Sequence, residues 1–146
     1  MQPPPLSRSI GSAERSMRTL LEQRLHSAGL SFSTWSVLAY TNVSPVSAEQ
    51  VVQCQVGGHI VPDAYEAQKS IDGLVSAGLI VANQSSMLTH TVKGEGVFKP
   101  LSDEIEDITR ALYGDLPTAD LDITHRILME ITKRANKLLA QKNSRL

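Results

Sequence analysis

The run from Pro62 to His90, PDAYEAQKSIDGLVSAGLIVANQSSMLTH, decides how this chain folds. Pro62 and Asp63 announce a helix, since proline tolerates a helix start and an aspartate there accepts from the free N–H groups of the first turn. Asp63 and Glu66 stand at capping-box spacing. Ala64, Ala67, Ile71, Leu74 and Val75 then mark one apolar face, and Gly78 ends the helix. Leu79-Ile80-Val81-Ala82 reads as a strand, Asn83-Gln84-Ser85-Ser86 as a polar turn, and Met87-Leu88-Thr89-His90 as a second strand. A β-hairpin therefore follows the helix directly.

Upstream, Ser47-Ala48-Glu49-Gln50 is a capping box that opens a short helix, expected to end before Gly57-Gly58. Two short capped helices joined by a glycine-containing turn suggest a helix-turn-helix, and the hairpin makes it a winged one. Further upstream, Met17, Leu20, Leu21 and Leu25 recur at helical spacing between Ser12 and Ala28, with Gly29 as the stop. Ser33 is placed to cap a second helix carrying Trp35, Leu38 and Ala39, with Phe32 and Val37 as its hydrophobic staple. Downstream, a helix from about Val92 to Tyr113 carries Val97, Leu101, Ile105, Ile108 and Leu112. Pro100 within it predicts a bend or a break. After Gly114-Asp115-Leu116-Pro117 a last helix carries Leu121, Leu128, Ile131, Ala135, Leu138 and Leu139. These terminal helices hold more apolar surface than one subunit easily covers, which predicts a homodimer.

The expected fold class is mainly α with a small β-hairpin wing: a winged helix-turn-helix flanked by N- and C-terminal dimerisation helices. Residues 31–91 form the winged unit, and 12–30 with 92–146 form the arm. Residues 1–11, opening on a triple proline with no apolar stretch after it, read as a disordered lead-in rather than a signal peptide.

Composition narrows the class. The 146 residues, 20% charged and 41% hydrophobic, suit one globular domain. No apolar run reaches the roughly 18 to 20 residues of a membrane helix, so no membrane partner is expected. A single cysteine, Cys54, excludes an internal disulfide and fits a reducing cytoplasm. The formal charge is −1, with its cations at the two ends. Arg15, Arg18 and Arg24 lie early, and Lys133, Arg134, Lys137, Lys142 and Arg145 lie late. Between Leu25 and Val92 the only basic residue other than histidine is Lys69.

After its first ten residues, the chain resembles the MarR family of winged-helix transcriptional regulators. Ala28-Gly29-Leu30-Ser31-Phe32-Ser33-Thr34-Trp35-Ser36-Val37-Leu38 is similar to the family's passage from first to second helix. Ser70-Ile71-Asp72-Gly73-Leu74-Val75-Ser76-Ala77-Gly78-Leu79-Ile80 resembles its exit from the recognition helix into the wing. Thr91-Val92-Lys93-Gly94 resembles the short signature after the wing, and the final helices resemble its dimerisation arm. The resemblance implies a two-fold dimer whose recognition helices enter successive major grooves of a pseudo-palindromic operator in double-stranded DNA. It also implies a small-molecule effector, in many members held where arm and winged domain meet, and the expected role is a ligand-responsive repressor. Two features depart from the family: a shortened wing, Asn83–Ser86, lacking basic residues, and acids beside the recognition positions.

On this reading Tyr65, Gln68 and Lys69 would meet bases or phosphates, and Ser47 with the wing residues Gln84, Ser85 and Ser86 would complete the DNA contacts. The competing reading is a solvated helix face on a winged-helix interaction module that no longer binds DNA. Glu66 beside a phosphate would be repulsive unless it is held in the capping box. His26, Phe32, Trp35, Tyr40 and Tyr113 are the candidate effector-binding residues, with ordinary core packing as the alternative. Cys54 has no basic neighbour in sequence to lower its thiol pKa, so it reads as a small buried apolar residue rather than a redox sensor. His26, His59, His90 and His125 lack metal-site spacing, so no metal or cofactor is expected. Lys133 to Arg145 reads as a solvated face favouring a helix C-terminus. No phosphate-cradling loop, nucleophile elbow or zinc-protease pattern supports an enzyme.

Overall fold

A computed structural model describes residues 1–144. Its elements run α1 (Leu6–Ser27), α2 (Phe32–Val43), β1 (Val46–Ser47), α3 (Ala48–Gly57), α4 (Ala64–Ser76), β2 (Ile80–Ala82), β3 (Met87–His90), α5 (Val92–Tyr113) and α6 (Thr118–Ser144). The chain divides into two compact units, Met1–Ile105 and Glu106–Leu146, with the boundary inside α5.

In the first unit the core is built from one face of each element: Val37 and Leu38 of α2, Val51 of α3, and Ile71 and Leu74 of α4. Leu79, Ile80 and Leu88 complete it from the hairpin. Each pair sits one residue or one turn apart, the spacing that puts side chains on one helical face. The sheet is antiparallel in the order β1-β3-β2. Ile80 pairs with His90 and Ala82 with Leu88 across the hairpin, while Val46 pairs with Leu88 on the other side of β3. The two-residue β1 is too short to show any periodicity, and it escapes a reading of the sequence that finds only the hairpin.

Three helices end on the same hydrogen-bond pattern. After α1, Gly29 N–H donates to the carbonyl of His26 and Leu30 N–H to that of Leu25. After α4, Gly78 donates to Val75 and Leu79 to Leu74. Gly29 and Gly78 sit at φ of 73° and 75°, where a side chain is disfavoured. After α3, His59 and Ile60 make the equivalent bonds to Val56 and Gln55. There the left-handed position, φ 59°, falls to His59 and not to either neighbouring glycine.

The helix starts correct the sequence in two places. The expected lead-in over residues 1–11 is helical from Leu6, because Pro4 and Pro5 lack N–H groups and can stand ahead of a first turn. Their carbonyls accept from Leu6 and Arg8 N–H at 2.7 and 3.1 Å. The N-cap of α2 is Ser31, not Ser33. Its hydroxyl accepts from Thr34 N–H, and Ser31 N–H donates back to the Thr34 hydroxyl. Leu30 and Trp35, both packed against the core, therefore occupy the positions assigned to Phe32 and Val37 as staple.

Thr91-Val92-Lys93-Gly94 ties the end of α4 to the start of α5. The Thr91 hydroxyl donates to the Gly78 carbonyl (2.6 Å) and accepts from Gly94 N–H (2.9 Å), while Lys93 Nζ donates to the Ala77 carbonyl (2.9 Å). A Cβ on Gly94 would fall 1.9 Å from the Leu79 carbonyl oxygen, so only glycine allows this approach. Pro100 does not interrupt α5. A proline ring presses on the carbonyl four residues back, and here that residue is Gly96, whose backbone yields most easily.

In the second unit α6 is exposed along nearly its whole described length. Lys133 to Lys142 are solvated, as expected of that face, and Arg145 lies outside the described residues.

Candidate nucleic-acid interface

Helix α4 has two faces. Ala67, Ser70, Ile71 and Leu74 are buried; Tyr65, Gln68, Lys69, Asp72 and Ser76 recur on the opposite side and are exposed. Tyr65 is 74% exposed, far more than an aromatic held by a core would be. The helix is fixed at its start by Asp63, whose Oδ1 accepts from Glu66 N–H at 2.9 Å. The capping box is only half formed, because the Glu66 carboxylate makes no return bond. Its charge stays on the first turn, where it suits the helix dipole but is not withdrawn from the outer surface.

Gln68 is not a free amide. Its Nε2 donates to Asp72 Oδ1 at 2.9 Å, one turn along. This pairing leaves the Gln68 carbonyl oxygen as the outward acceptor and places Asp72 on the same face. The i, i+4 spacing of glutamine and aspartate is a known helical hydrogen-bonding pair, and it was the one available signal for Asp72. Lys69 makes no ion pair among the described residues, so its ammonium is available to a phosphate or a guanine edge.

Ser47 closes β1 and caps α3, accepting from Gln50 N–H at 3.1 Å. With its oxygen engaged, the hydroxyl proton is what remains for a phosphate. The hairpin turn is locked by Asn83, whose Oδ1 accepts from Ser85 and Met87 N–H at 2.9 and 3.0 Å. Gln84, Ser85 and Ser86 are left exposed at the tip, and Ser86 adopts φ 60°. The tip offers hydroxyl and amide donors but no cation.

The candidate effector residues are not gathered into one place within the first unit. Trp35 stacks on Phe98, ring centres 5.0 Å apart, and Tyr40 packs against the core. The Arg18 guanidinium lies 4.3 Å from the centre of the Phe32 ring, a cation–π contact the sequence pattern did not reveal. His26 is exposed at the end of α1, and Tyr113 belongs to the second unit. Cys54 is exposed, not buried; Val51 and Gln55, one turn apart, take the inward face of α3 instead. Gln55 is fully buried and donates to the Ser33 carbonyl at 2.7 Å. Among the described residues no three His, Cys, Asp or Glu side chains gather as metal ligands, and no helix is long and apolar enough to cross a membrane.

Comparison with known proteins places this architecture. No family model matches the sequence and no curated protein matches it, whereas solved structures do. A Listeria innocua protein of unknown function shares 22% identity at a TM-score of 0.69, over 88% of this chain and 91% of that one. A MarR family protein from Mycobacterium tuberculosis, solved with p-aminosalicylic acid, shares 17% identity at a TM-score of 0.66, over 87% of this chain and 98% of that one. The reduced form of MarR from Escherichia coli shares 17% identity at a TM-score of 0.64, over 89% of this chain and 95% of that one. The chain has the MarR-type winged-helix fold.

Proposed function

We propose that this chain is a homodimeric, DNA-binding transcriptional regulator, a repressor released by a small ligand and not an enzyme. The observation that carries the reading is the outer face of α4: a capped helix, backed by the core, presenting Tyr65, Gln68 and Lys69 to solvent ahead of a β-hairpin. A helix so held fits a major groove. Lys69 would meet a guanine edge or phosphate, the Gln68 carbonyl oxygen would accept from an exocyclic amine, and Tyr65 would touch a thymine methyl or phosphate. Gln84, Ser85 and Ser86 would lie beside the backbone as neutral donors, with the Ser47 hydroxyl at the start of α3.

Support for the dimer comes from the apolar side chains the second unit leaves in solvent, among them Leu116, Ile123, Ile127 and Leu138. Paired subunits would set two copies of α4 about one duplex turn apart, near 34 Å, and a ligand that changed this spacing would release DNA. The structural relative solved with p-aminosalicylic acid supports the ligand response. A single exposed thiol fits a reducing cytoplasm.

The test is binding to random-sequence DNA and to DNA upstream of the coding region, followed by fluorescence anisotropy across a salt series. We expect binding at low salt that weakens as salt rises, and Lys69→Ala should lower the log–log salt slope by about 1 per subunit. Undetectable binding at low salt, with Lys69→Ala silent, would transfer the fold to protein interaction, the use that Glu66 and Asp72 on the same face favour.

A further inference from the structure

We propose that Asp72 decides which bases α4 reads. It fixes the Gln68 amide so that an amine on the major-groove edge, from adenine or cytosine, is accepted and a carbonyl, from guanine or thymine, is refused. The assignment rests on the DNA-binding reading above and gives that surface a base class.

A glutamine is an ambiguous reader. Its amide carries an acceptor at one corner and a donor at the other, and a half-turn about the last side-chain bond exchanges them. Unconstrained in a groove, it can meet a base edge of either sign. Gln68 lacks that freedom. The Asp72 carboxylate has only lone pairs, so the atom facing it across 2.9 Å is the amide nitrogen. Turned the other way, the amide oxygen would stand against a carboxylate oxygen. Both side chains are exposed in the free protein, where such a pair is worth only about 0.2–0.5 kcal/mol. A groove that displaces water from both raises the stakes, because the reversed amide then leaves two acceptors face to face with no donor.

The two residues have separate tasks. Recognition helices reach base edges with their N-terminal part, and Gln68 lies in the first half of α4 while Asp72 stands one turn further on. Asp72 is therefore a positioning residue that acts through Gln68. In the major groove adenine N6 and cytosine N4 donate, whereas guanine O6 and thymine O4 accept. An outward Gln68 oxygen bonds the first two and is repelled by the others. Adenine also offers N7 to the second amide N–H, so it should lead and cytosine follow. Lys69, a donor only, makes no ion pair among the described residues and favours the opposite sign, the guanine edge. Adjacent residues of α4 thus ask for opposite base edges.

The full chain is offered a random-sequence duplex library at low salt, and the retained duplexes are sequenced. Gln68→Ala locates the relevant position as the one whose base preference it flattens, and the four versions of that base pair are then compared by fluorescence anisotropy. We expect adenine or cytosine there to bind about tenfold tighter than guanine or thymine. In Asp72→Asn, whose amide can present either sign to Gln68, the preference should fall to within about twofold while affinity for every version rises a few-fold. Asp72→Glu, which keeps the acceptor, should keep the preference. An acid acting by charge alone would move all four versions alike. Both positions are exposed, and circular dichroism checks that each variant is folded. A preference for guanine or thymine, no position flattened by Gln68→Ala, a preference that survives Asp72→Asn, or one lost equally in Asp72→Glu would overturn the role of Asp72 and leave DNA binding standing. No duplex retained at low salt would remove the DNA-binding reading itself, and this role with it.

Discussion

The two units of the chain solve the problem of apolar surface differently. In Met1–Ile105 one apolar face of α2, α3, α4 and the hairpin, carried by Val37, Leu38, Val51, Ile71, Leu74, Leu79, Ile80 and Leu88, is almost wholly removed from water. In Glu106–Leu146 no described residue is fully buried, although Leu112, Ile127, Leu128, Ile131 and Leu139 recur at helical spacing. The same amphipathic pattern therefore has two outcomes. Where short elements fold back on one another, each apolar face meets another within the chain. Where a helix as long as α6 runs on, it outreaches anything that 41 residues can fold over it. The first unit is stabilised by its own burial, and the second carries an apolar face that suits a partner.

This contrast is open to direct challenge, beginning where the expected effect is largest. Leu38→Ala, at a fully buried position, should cost about 2–5 kcal/mol in chemical denaturation. A cost below 1 kcal/mol would mean the first unit is not the tightly packed body described. Ile127→Ser should weaken self-association by about 1.5–3 kcal/mol, read as a concentration-dependent mass by sedimentation. A wild-type chain that stays monomeric at high micromolar concentration would remove the role given to the second unit. Gly94→Ala, forcing a Cβ against the Leu79 carbonyl, should cost about 1–3 kcal/mol and loosen the hairpin, visible as faster amide exchange in β2 and β3. Ser47→Ala, which removes the acceptor for Gln50 N–H, should cost about 1 kcal/mol. The last effect is smallest and concerns the surface alone. Asp72→Asn removes one acid from the α4 face and loosens the hold on the Gln68 amide, so it should tighten DNA binding a few-fold with stability unchanged within about 0.5 kcal/mol.

Much of the fold was legible because capping is local. Ser47 with Gln50, Asp63 ahead of α4, and Gly29 and Gly78 past helix ends each act within a turn, and all four do what their spacing implies. The hairpin was legible for the same reason. Where two local solutions compete, the pattern is ambiguous: Ser31 and Ser33 are equally good caps by type, and packing of Leu30 and Trp35 chose the first. Cys54 and Gln55 compete likewise, and the inward place went to the larger, polar residue because it could bond the Ser33 carbonyl 22 residues away. The candidate DNA-facing residues were legible as one helical face. Their electrostatics were not, since neither the open side of the Asp63–Glu66 pair nor the Gln68–Asp72 bond follows from residue types alone.

What the sequence determined by itself is the order of the helices and the hairpin and most of their ends, because helix caps, stop signals and turn residues are short-range interactions written in neighbouring letters. The tertiary structure alone decided which of those faces meet. It set Val46 and Ser47 against β3, pressed the α5 start so close to Leu79 that only Gly94 fits, and gathered Asn42, His90 and Glu95 around one hollow. Those contacts join residues tens of positions apart, and their energy depends on burial and distance that no local pattern encodes.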